Sequence, residues 1–306
     1  MMRSAILAAA RSPQLEQLVS AAPVSRSVVR RFVAGTTTGE AIETTRELVH
    51  DGLAVTLDFL GEDTEDAAQA KAATAAYVEV LGALAAASLT PPAEVSVKLT
   101  ALGLLLDEKL ATDNVLAICR AADAAGTTVT VDMEDHTTTD RTLEIVRRVR
   151  KDHPDTGVVL QAYLHRTESD CRELAAAGSR VRLCKGAYNE PEDVAFQTDL
   201  EVSRSYVRCA NVLLAGGGYP MFATHDPRLV AIVEDRVRWH DRDVASFEFQ
   251  MLYGVRPMEQ RRLAELGYAV RVYVPYGTQW YGYLMRRLAE RPANTALFLR
   301  ALVGRK

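Results

Sequence analysis

The residues best suited to chemistry lie near the C-terminus, in the segment from Arg271 to Asn294. On a predicted helix, Tyr283 lies three and four residues before Arg286 and Arg287, so one aromatic ring and two guanidinium groups share a face. Arginine binds a carboxylate through paired hydrogen bonds, and an aromatic ring packs against an apolar body. The pattern predicts a site for a small substrate with an apolar body and a carboxylate. The alternative is a solvated, arginine-rich helix face.

Charged side chains also end two β-branched runs upstream. Lys98 lies at the end of one run and Asp132 at the end of the next. A charge in that setting must be paired or functional, because burying it alone is costly. The two residues could therefore form a structural ion pair or take part in catalysis, and their positions favour neither. Later runs carry further polar side chains that we expect at the same opening: Gln161, Tyr163, Arg182, Lys185, Tyr188, Thr224, His225, Asp226, Glu248, Gln250, Arg271, Tyr273 and Tyr276.

The histidines and cysteines favour no metal site. The six histidines are scattered without an HxH or HExxH pattern, and the four cysteines show no CxxC spacing. The contiguous stretch Asp132–His136 places alternate residues on opposite faces, which favours a solvated loop over a metal centre. We predict no metal ligands and reduced cysteines.

Eight short apolar runs, each followed by a helix-length segment, position these side chains. This alternation is typical of a (β/α)8 TIM-type barrel, in which the carboxyl ends of all strands meet at one opening. A doubly wound sheet also alternates strands and helices, but it would carry a glycine-rich first turn, which is missing here. The predicted strands span residues 54–60, 94–99, 127–133, 157–163, 180–185, 220–224, 244–250 and 270–274.

The first fifty residues contain helical stretches around 12–21, 25–33 and 40–51. Pro23 and Gly35 separate them. We expect residues 1–52 to form a helical extension packed on a barrel of residues 53–306.

Composition limits the partners. The chain is 48% hydrophobic and 25% charged, as globular proteins are, and its net charge of −4 gives no reason to bind nucleic acid. The longest uncharged stretch, 209–224, contains Pro220 and three glycines that would break a spanning helix. Residues 5–10 are too short for a signal-peptide core, so we expect a cytoplasmic protein. Arg30 and Arg31 leave open a peripheral contact with the inner face of the membrane, although two arginines are usually a solvated face.

Five strings, in order, resemble the motifs of the proline dehydrogenase family. They run from the second predicted strand to the last helix. The departure is Cys184, where the family has a small aliphatic residue, usually valine, and we expect altered packing beside that strand. The matching strings are residues 96–100 (SVKLT), 181–188 (VRLCKGAY), 222–226 (FATHD), 247–250 (FEFQ), and the C-terminal set Tyr273, Pro275, Gly277, Tyr283, Arg286, Arg287, Glu290 and Asn294.

The resemblance implies a distorted (β/α)8 barrel that binds FAD noncovalently and oxidises L-proline to Δ1-pyrroline-5-carboxylate. It further implies hydride transfer to flavin N5, electron transfer to a membrane quinone, and the first step of proline catabolism to glutamate. We expect the monofunctional form. A related flavin barrel such as methylenetetrahydrofolate reductase and a non-catalytic amino-acid-binding barrel remain the alternatives, and the paired arginines weigh against the first.

The resemblance also assigns the residues of the site. It makes Asp132 and Arg182 catalytic, with Asp132 beside the substrate amine and Arg182 near flavin N5. The residues implied around the proline carboxylate, its ring and their polar network are Lys98, Tyr273, Tyr283, Arg286, Arg287 and Glu290. Those implied around FAD are Val131, Gln161, Arg182, Lys185, Gly186, Ala187, Thr224 and His225.

Overall fold

The computed structural model describes residues 29–61 and 64–290, with side chains described as far as Met285. Eight parallel strands close a barrel in sequence order, and the last pairs with the first. The strands are β1 (Ala54–Phe59), β2 (Ala93–Val97), β3 (Val129–Val131), β4 (Gly157–Gln161), β5 (Arg180–Cys184), β6 (Tyr219–Ala223), β7 (Glu248–Leu252) and β8 (Val270–Tyr276).

Helices cover the outside of the barrel. The described residues place them as α1 (Thr38–His50), α2 (Ala67–Ala86), α3 (Glu108–Ala125), α4 (Thr139–Val149), α5 (Thr167–Ala176), α6 (Asp199–Ala215), α7 (Pro227–Trp239), α8 (Pro257–Glu265) and α9 (Trp280–Glu290). None of the helices within these ranges is long and apolar enough to cross a bilayer.

The predicted TIM-type barrel is confirmed, and most strand boundaries differ from the prediction by one to four residues. The seventh strand begins at Glu248, because residues 244–246 form a 3-10 turn that the Asp243 side chain caps by accepting from the Ala245 amide. The eighth strand continues to Tyr276, since it stays in register with β1 through the pair Phe59 and Tyr276. The carboxyl end of β8 therefore lies further along the chain than expected.

The start of the described chain packs on the last helix. Phe32 and Val33 share an apolar cluster with Tyr281 and Leu284, and the Ala34 amide donates to the carbonyl of β8 residue 275 at 2.9 Å. The helix predicted over 40–51 is α1, which begins with a capping box. The stretch predicted over 12–21 lies outside the described residues, and the boundary at residue 52 stays a prediction.

The strands alternate between an apolar outer face and a polar interior. Val55, Leu57, Val95 and Val97 are fully buried in the core beneath the helices. Inward positions carry charges that bond across the barrel, as Arg180 on β5 does with a carboxylate on β2. The interior is therefore filled largely by hydrogen-bonded polar groups, and these groups form two layers at opposite ends of the strands.

Candidate active site

Four charged side chains meet at the carboxyl ends of the strands: Asp58, Lys98, Asp132 and Arg182, called here the upper network. The Lys98 ammonium lies 2.8 and 2.9 Å from the two carboxylate oxygens of Asp58 and 3.6 Å from Asp132 Oδ2. Arg182 Nη1 donates to Asp132 Oδ1 at 2.8 Å. Two anions and two cations at one opening suit a small ligand that carries both signs of charge.

Asp58 is a site residue that sequence reasoning missed. It is 1% exposed, and the phenol of Tyr77 lies 3.4 Å from its Oδ1. Burial raises the pKa of Asp58, while Lys98 opposes the shift. The sequence did contain a signal for Asp58. Lys98 is a cation on an apolar strand and needs an anionic partner, and Asp58 lies near the end of the neighbouring strand. Lys98 is ion-paired with both Asp58 and Asp132, and Asp58 is its closer partner.

Asp132 is held by three donors. Besides Arg182, the Ser96 hydroxyl donates to its Oδ1 at 2.7 Å and the Tyr273 phenol donates to its Oδ2 at 2.8 Å. The Arg182 guanidinium also lies over the Tyr273 ring, 5.3 Å from the centroid. The expected grouping of Lys98, Asp132, Arg182 and Tyr273 is therefore present in the structure.

Arg182 is only 4% exposed, yet its bonds leave one nitrogen unused. Nε donates to Gln250 Oε1 at 2.5 Å, and Nη1 donates to both Ser96 and Asp132. Nη2 makes no hydrogen bond to any described residue; it lies 4.0 Å from a Glu94 oxygen. Nη2 therefore faces the Glu94 carboxylate deeper in the barrel, whereas Nη1 faces Ser96 and Asp132 at the opening.

Gln161 presents the complementary group on the adjacent strand. Its side chain is 3% exposed and its Nε2 donates to the Met133 carbonyl at 3.2 Å. Its Oε1 is buried and accepts no hydrogen bond within the part of the chain that the structure describes. An unused buried acceptor at the carboxyl end of β4 indicates a polar ligand at this opening.

The loop after β5 makes a close turn over the barrel. Gly186 has a φ of +109°, and a Cβ there would overlap the ring of Tyr163. Lys185 extends to Asp226 with a separation of 3.0 Å, and hydrogen bonds from Arg228 and then Lys185 lower the pKa of Asp226. Only glycine fits position 186, because this turn lies directly against the Tyr163 ring.

The loop after β6 is also held in place. The Leu252 amide donates to His225 Nε2 at 2.9 Å, so that nitrogen is unprotonated and the imidazole is neutral with its proton on Nδ1. The Thr224 hydroxyl accepts from the Asp226 amide at 3.1 Å. These bonds hold Thr224 and His225 at the carboxyl end of β6.

Val131, a predicted cofactor residue, and Cys184, the departure from the family pattern, both have side chains that pack away from solvent. The Val131 side chain is fully buried in the outer core, which leaves its backbone as the group able to face a ligand. Cys184 donates its thiol to the Leu160 carbonyl at 3.6 Å, and burial raises its pKa to about 11. The thiol is therefore neutral and acts as a packing group.

The predicted carboxylate-binding helix is α9. Tyr283 is buried in the cluster that includes Phe32. The α9 backbone continues through Arg286, Arg287 and Glu290, whose side chains lie outside the described residues. Asn294 also lies outside them.

The prediction that Glu248 and Arg271 lie at the upper opening is wrong. They are the first and second residues of their strands, so they lie at the opposite end of the barrel with Glu94 and Arg180; these four form the lower network. Arg271 Nε lies 2.8 Å from Glu248, and Arg180 Nη2 lies 2.9 Å from Glu94. Burial would raise the pKa of Glu94, but Arg271 and Arg180 outweigh it and lower the pKa.

The solvated loop predicted over Asp132–His136 is also wrong in part. Glu134 is buried and accepts from the Thr100 amide at 3.0 Å. His136 Nδ1 contacts the buried carboxylate of Glu190, which also accepts from the His136 amide at 2.9 Å. These residues join the β3 loop to the loop after β5.

Comparisons with known proteins agree with this architecture. The family model described as proline dehydrogenase matches residues 41–300. Proline dehydrogenase 1 of Bacillus subtilis is 40% identical over 279 residues, which cover 91% of this chain and 92% of that protein. Proline dehydrogenase of Deinococcus radiodurans is 38% identical over 308 residues, covering 98% and 97%.

Solved structures match as well. Proline utilization A of Bdellovibrio bacteriovorus, inactivated by N-propargylglycine, superposes with a TM-score of 0.81 at 26% identity. The match covers 86% of this chain and 32% of that one, so this chain spans about a third of the longer protein.

Proposed function

Because this chain belongs to the proline dehydrogenase family, it oxidises L-proline in proline catabolism, and we propose that it does so at the upper network with bound FAD. The observation that carries the proposal is a buried, unused acceptor at this opening, Gln161 Oε1. The same opening holds the Asp132 carboxylate and the Lys98 ammonium, which suit an amino acid substrate.

The residues at this opening fit FAD. The unused acceptor of Gln161 suits a heterocycle with a polar edge, and the cation of Lys185 together with the close turn at Gly186 suits a phosphate-bearing chain. Bound FAD would supply the two-electron hydride acceptor that no side chain offers. The residues proposed to hold it are Val131 through its backbone, Gln161, Arg182, Lys185, Gly186, Ala187, Thr224 and His225.

The chain's own side chains bind and orient the substrate. We assign the proline carboxylate to Lys98, together with Arg286 and Arg287 as the family resemblance implies. The Asp58 carboxylate holds the Lys98 ammonium in place. Oxidation of the ring C–N bond gives Δ1-pyrroline-5-carboxylate.

The amine and the ring face the remaining groups. Asp132 provides a negative charge beside the substrate amine, and Tyr273 fixes that carboxylate through its phenol. Tyr273 and Tyr283 line the ring, and Glu290 completes the network. Burial raises the pKa of Tyr273, so its phenol stays protonated and keeps donating to Asp132.

For the electrons that leave the enzyme, we propose a membrane quinone as acceptor, reached by peripheral contact with the bilayer. The support is the family resemblance.

The test is reconstitution with FAD. The purified protein should be yellow, should release FAD on denaturation, and should lose its flavin absorbance when L-proline is added without oxygen. Gly186→Ala should lower FAD occupancy several-fold, because a Cβ there meets the Tyr163 ring. Gly126→Ala is the matched control: it also has a positive φ, but a Cβ there meets no atom within 4 Å. A colourless protein that takes up no FAD would overturn the proposal.

A further inference from the structure

We propose that Gln250 is a positioning residue that fixes the guanidinium plane of Arg182 against the bound flavin. The proposal rests on the proposed function, since it takes Arg182 as a neighbour of the cofactor. Gln250 lies on β7, is 3% exposed, and accepts from Arg182 Nε at 2.5 Å. Its other end contacts Glu248, so one side chain joins the two networks.

The orientation of the Gln250 amide follows from its two partners. A carboxylate only accepts hydrogen bonds and a guanidinium only donates them. Gln250 must therefore direct its NH2 toward Glu248 and its oxygen toward Arg182. The flipped amide would place oxygen against the carboxylate and NH2 against the guanidinium, so both contacts would become repulsive.

Glu248 is itself held by the lower network. Its Oε1 accepts from Arg271 Nε at 2.8 Å, and its Oε2 accepts from the Tyr219 phenol at 3.2 Å. Arg271 in turn donates to the carbonyls of Val55 and Pro92. Gln250 is thus anchored to a rigid base on the far side of the barrel from the opening.

The bond at Arg182 Nε restricts the guanidinium in a way that its other bonds do not. Ser96 and Asp132 both bind Nη1, so they hold one corner of the group. The bond to Gln250 holds a second corner, so the group is fixed at both Nε and Nη1 while Nη2 faces Glu94 without a hydrogen bond. The position of this cation determines how strongly it stabilises the charge that the cofactor gains on reduction.

The experiment compares Gln250→Met with Gln260→Met. Gln260 is also 3% exposed and donates two bonds to the Leu252 and Val255 carbonyls, without contact to Arg182. FAD content, the flavin midpoint potential, thermal stability and proline kinetics are measured in each holoenzyme. Both variants should lose stability. Only Gln250→Met should shift the potential to a more negative value, by roughly tenfold in the reduction equilibrium, or about 30 mV for a two-electron couple.

We expect kcat of Gln250→Met to fall roughly tenfold, as for loss of one hydrogen bond to a charged group, with FAD content retained and KM for proline nearly unchanged. Gln250→Leu serves if the methionine variant fails to fold, because it also removes the acceptor from Arg182 Nε and places no carboxylate against Glu248. It should shift the potential in the same direction. A wild-type potential in a FAD-loaded Gln250 variant, or an equal shift in Gln260→Met, would overturn this proposal alone. A wild-type protein that binds no FAD would instead overturn the proposed function.

Discussion

The upper and lower networks contain the same charges in the same barrel, two carboxylates and two cations each, yet their electrostatic balance is opposite. In the lower network, Arg180 and Arg271 outweigh the burial of Glu94 and lower its pKa. In the upper network, burial outweighs Lys98 and raises the pKa of Asp58. In the lower network the neighbouring arginines fully compensate the buried carboxylate. In the upper network Lys98 compensates the buried carboxylate only in part, so a charged ligand can stabilise this network further.

Hydrogen bonding shows the same contrast. Glu94 accepts from Thr56 and Thr130 on one oxygen and from Thr128 and Arg180 on the other. The upper opening contains the unused acceptor on Gln161 described above. The comparison assigns stability to the lower network and binding with catalysis to the upper one.

The largest expected effect is on stability, in Glu94→Gln. The change leaves Arg180 and Arg271 buried with one carboxylate between them, and breaking a buried ion pair in this way costs about 3–5 kcal/mol. Denaturation followed by circular dichroism measures the loss. Glu144→Gln, which removes an exposed ion pair with Arg148, is the control and should change stability little. A loss of stability no greater than in that control would contradict the assignment.

Lys98→Met should have the opposite effect to Glu94→Gln: a large loss of activity with little loss of stability. The variant lacks the Lys98 ammonium that is proposed to bind the substrate carboxylate. Its kcat/KM for L-proline should fall about a hundredfold, as expected for loss of charged hydrogen bonds. Stability should change little, because Asp58 already has a raised pKa and can take up a proton. Steady-state kinetics and denaturation of the same sample measure both effects. Full activity with a stability loss as large as in Glu94→Gln would contradict the assignment of binding and catalysis to the upper network.

The sequence predicted the barrel well because parallel strands covered on both faces are β-branched runs, and this signal does not depend on distant contacts. It failed where position along a strand decides which end of the barrel a side chain occupies. Glu248 and Arg271 were expected at the opening, but each begins its strand. Asp58 was missed because its role depends on pairing with Lys98, forty residues away.

Arg286→Lys and Arg287→Lys test whether these two arginines of α9 bind the proline carboxylate. Lysine keeps the charge and loses the two-pronged donor, so KM for L-proline should rise by an equivalent of about 1–3 kcal/mol per lost charged hydrogen bond. FAD content should stay intact. A KM near that of the wild type in both variants would remove the pair from the site, and loss of FAD in both would assign them to the cofactor or the fold.

Acid should affect the networks in opposite directions. The pKa of Glu94 is lowered on folding, so its stabilisation is present at neutral pH and declines as the pH falls below about 4.3. The pKa of Asp58 is raised, so its contribution increases on acidification. Urea unfolding between pH 7 and pH 2 should therefore show a shallower acid loss in Glu94→Gln than in the wild type, and a steeper one in Asp58→Asn. Identical pH profiles in all three proteins would contradict these shifts.

The smallest effects are expected from two matched variants that each remove one hydroxyl group, one in each network. Ser96 bridges Asp132 and Arg182 in the upper network, and Thr128 bridges Glu94 and Arg180 in the lower network. Ser96→Ala and Thr128→Val each remove one hydroxyl that donates to a carboxylate and accepts from a guanidinium. Each should cost about 1–3 kcal/mol of stability, because both leave buried charged groups with one partner fewer.

The rate of flavin reduction by L-proline in these two variants, followed anaerobically by stopped-flow absorbance, tests the division between the networks most directly. We expect Ser96→Ala to reduce the flavin roughly tenfold more slowly than the wild type, because Arg182 and Asp132 lose their shared partner. Thr128→Val should react at the wild-type rate despite its lower stability. Equal rates in the two variants, or a slower reaction in Thr128→Val, would contradict the assignment of chemistry to the upper network and stability to the lower.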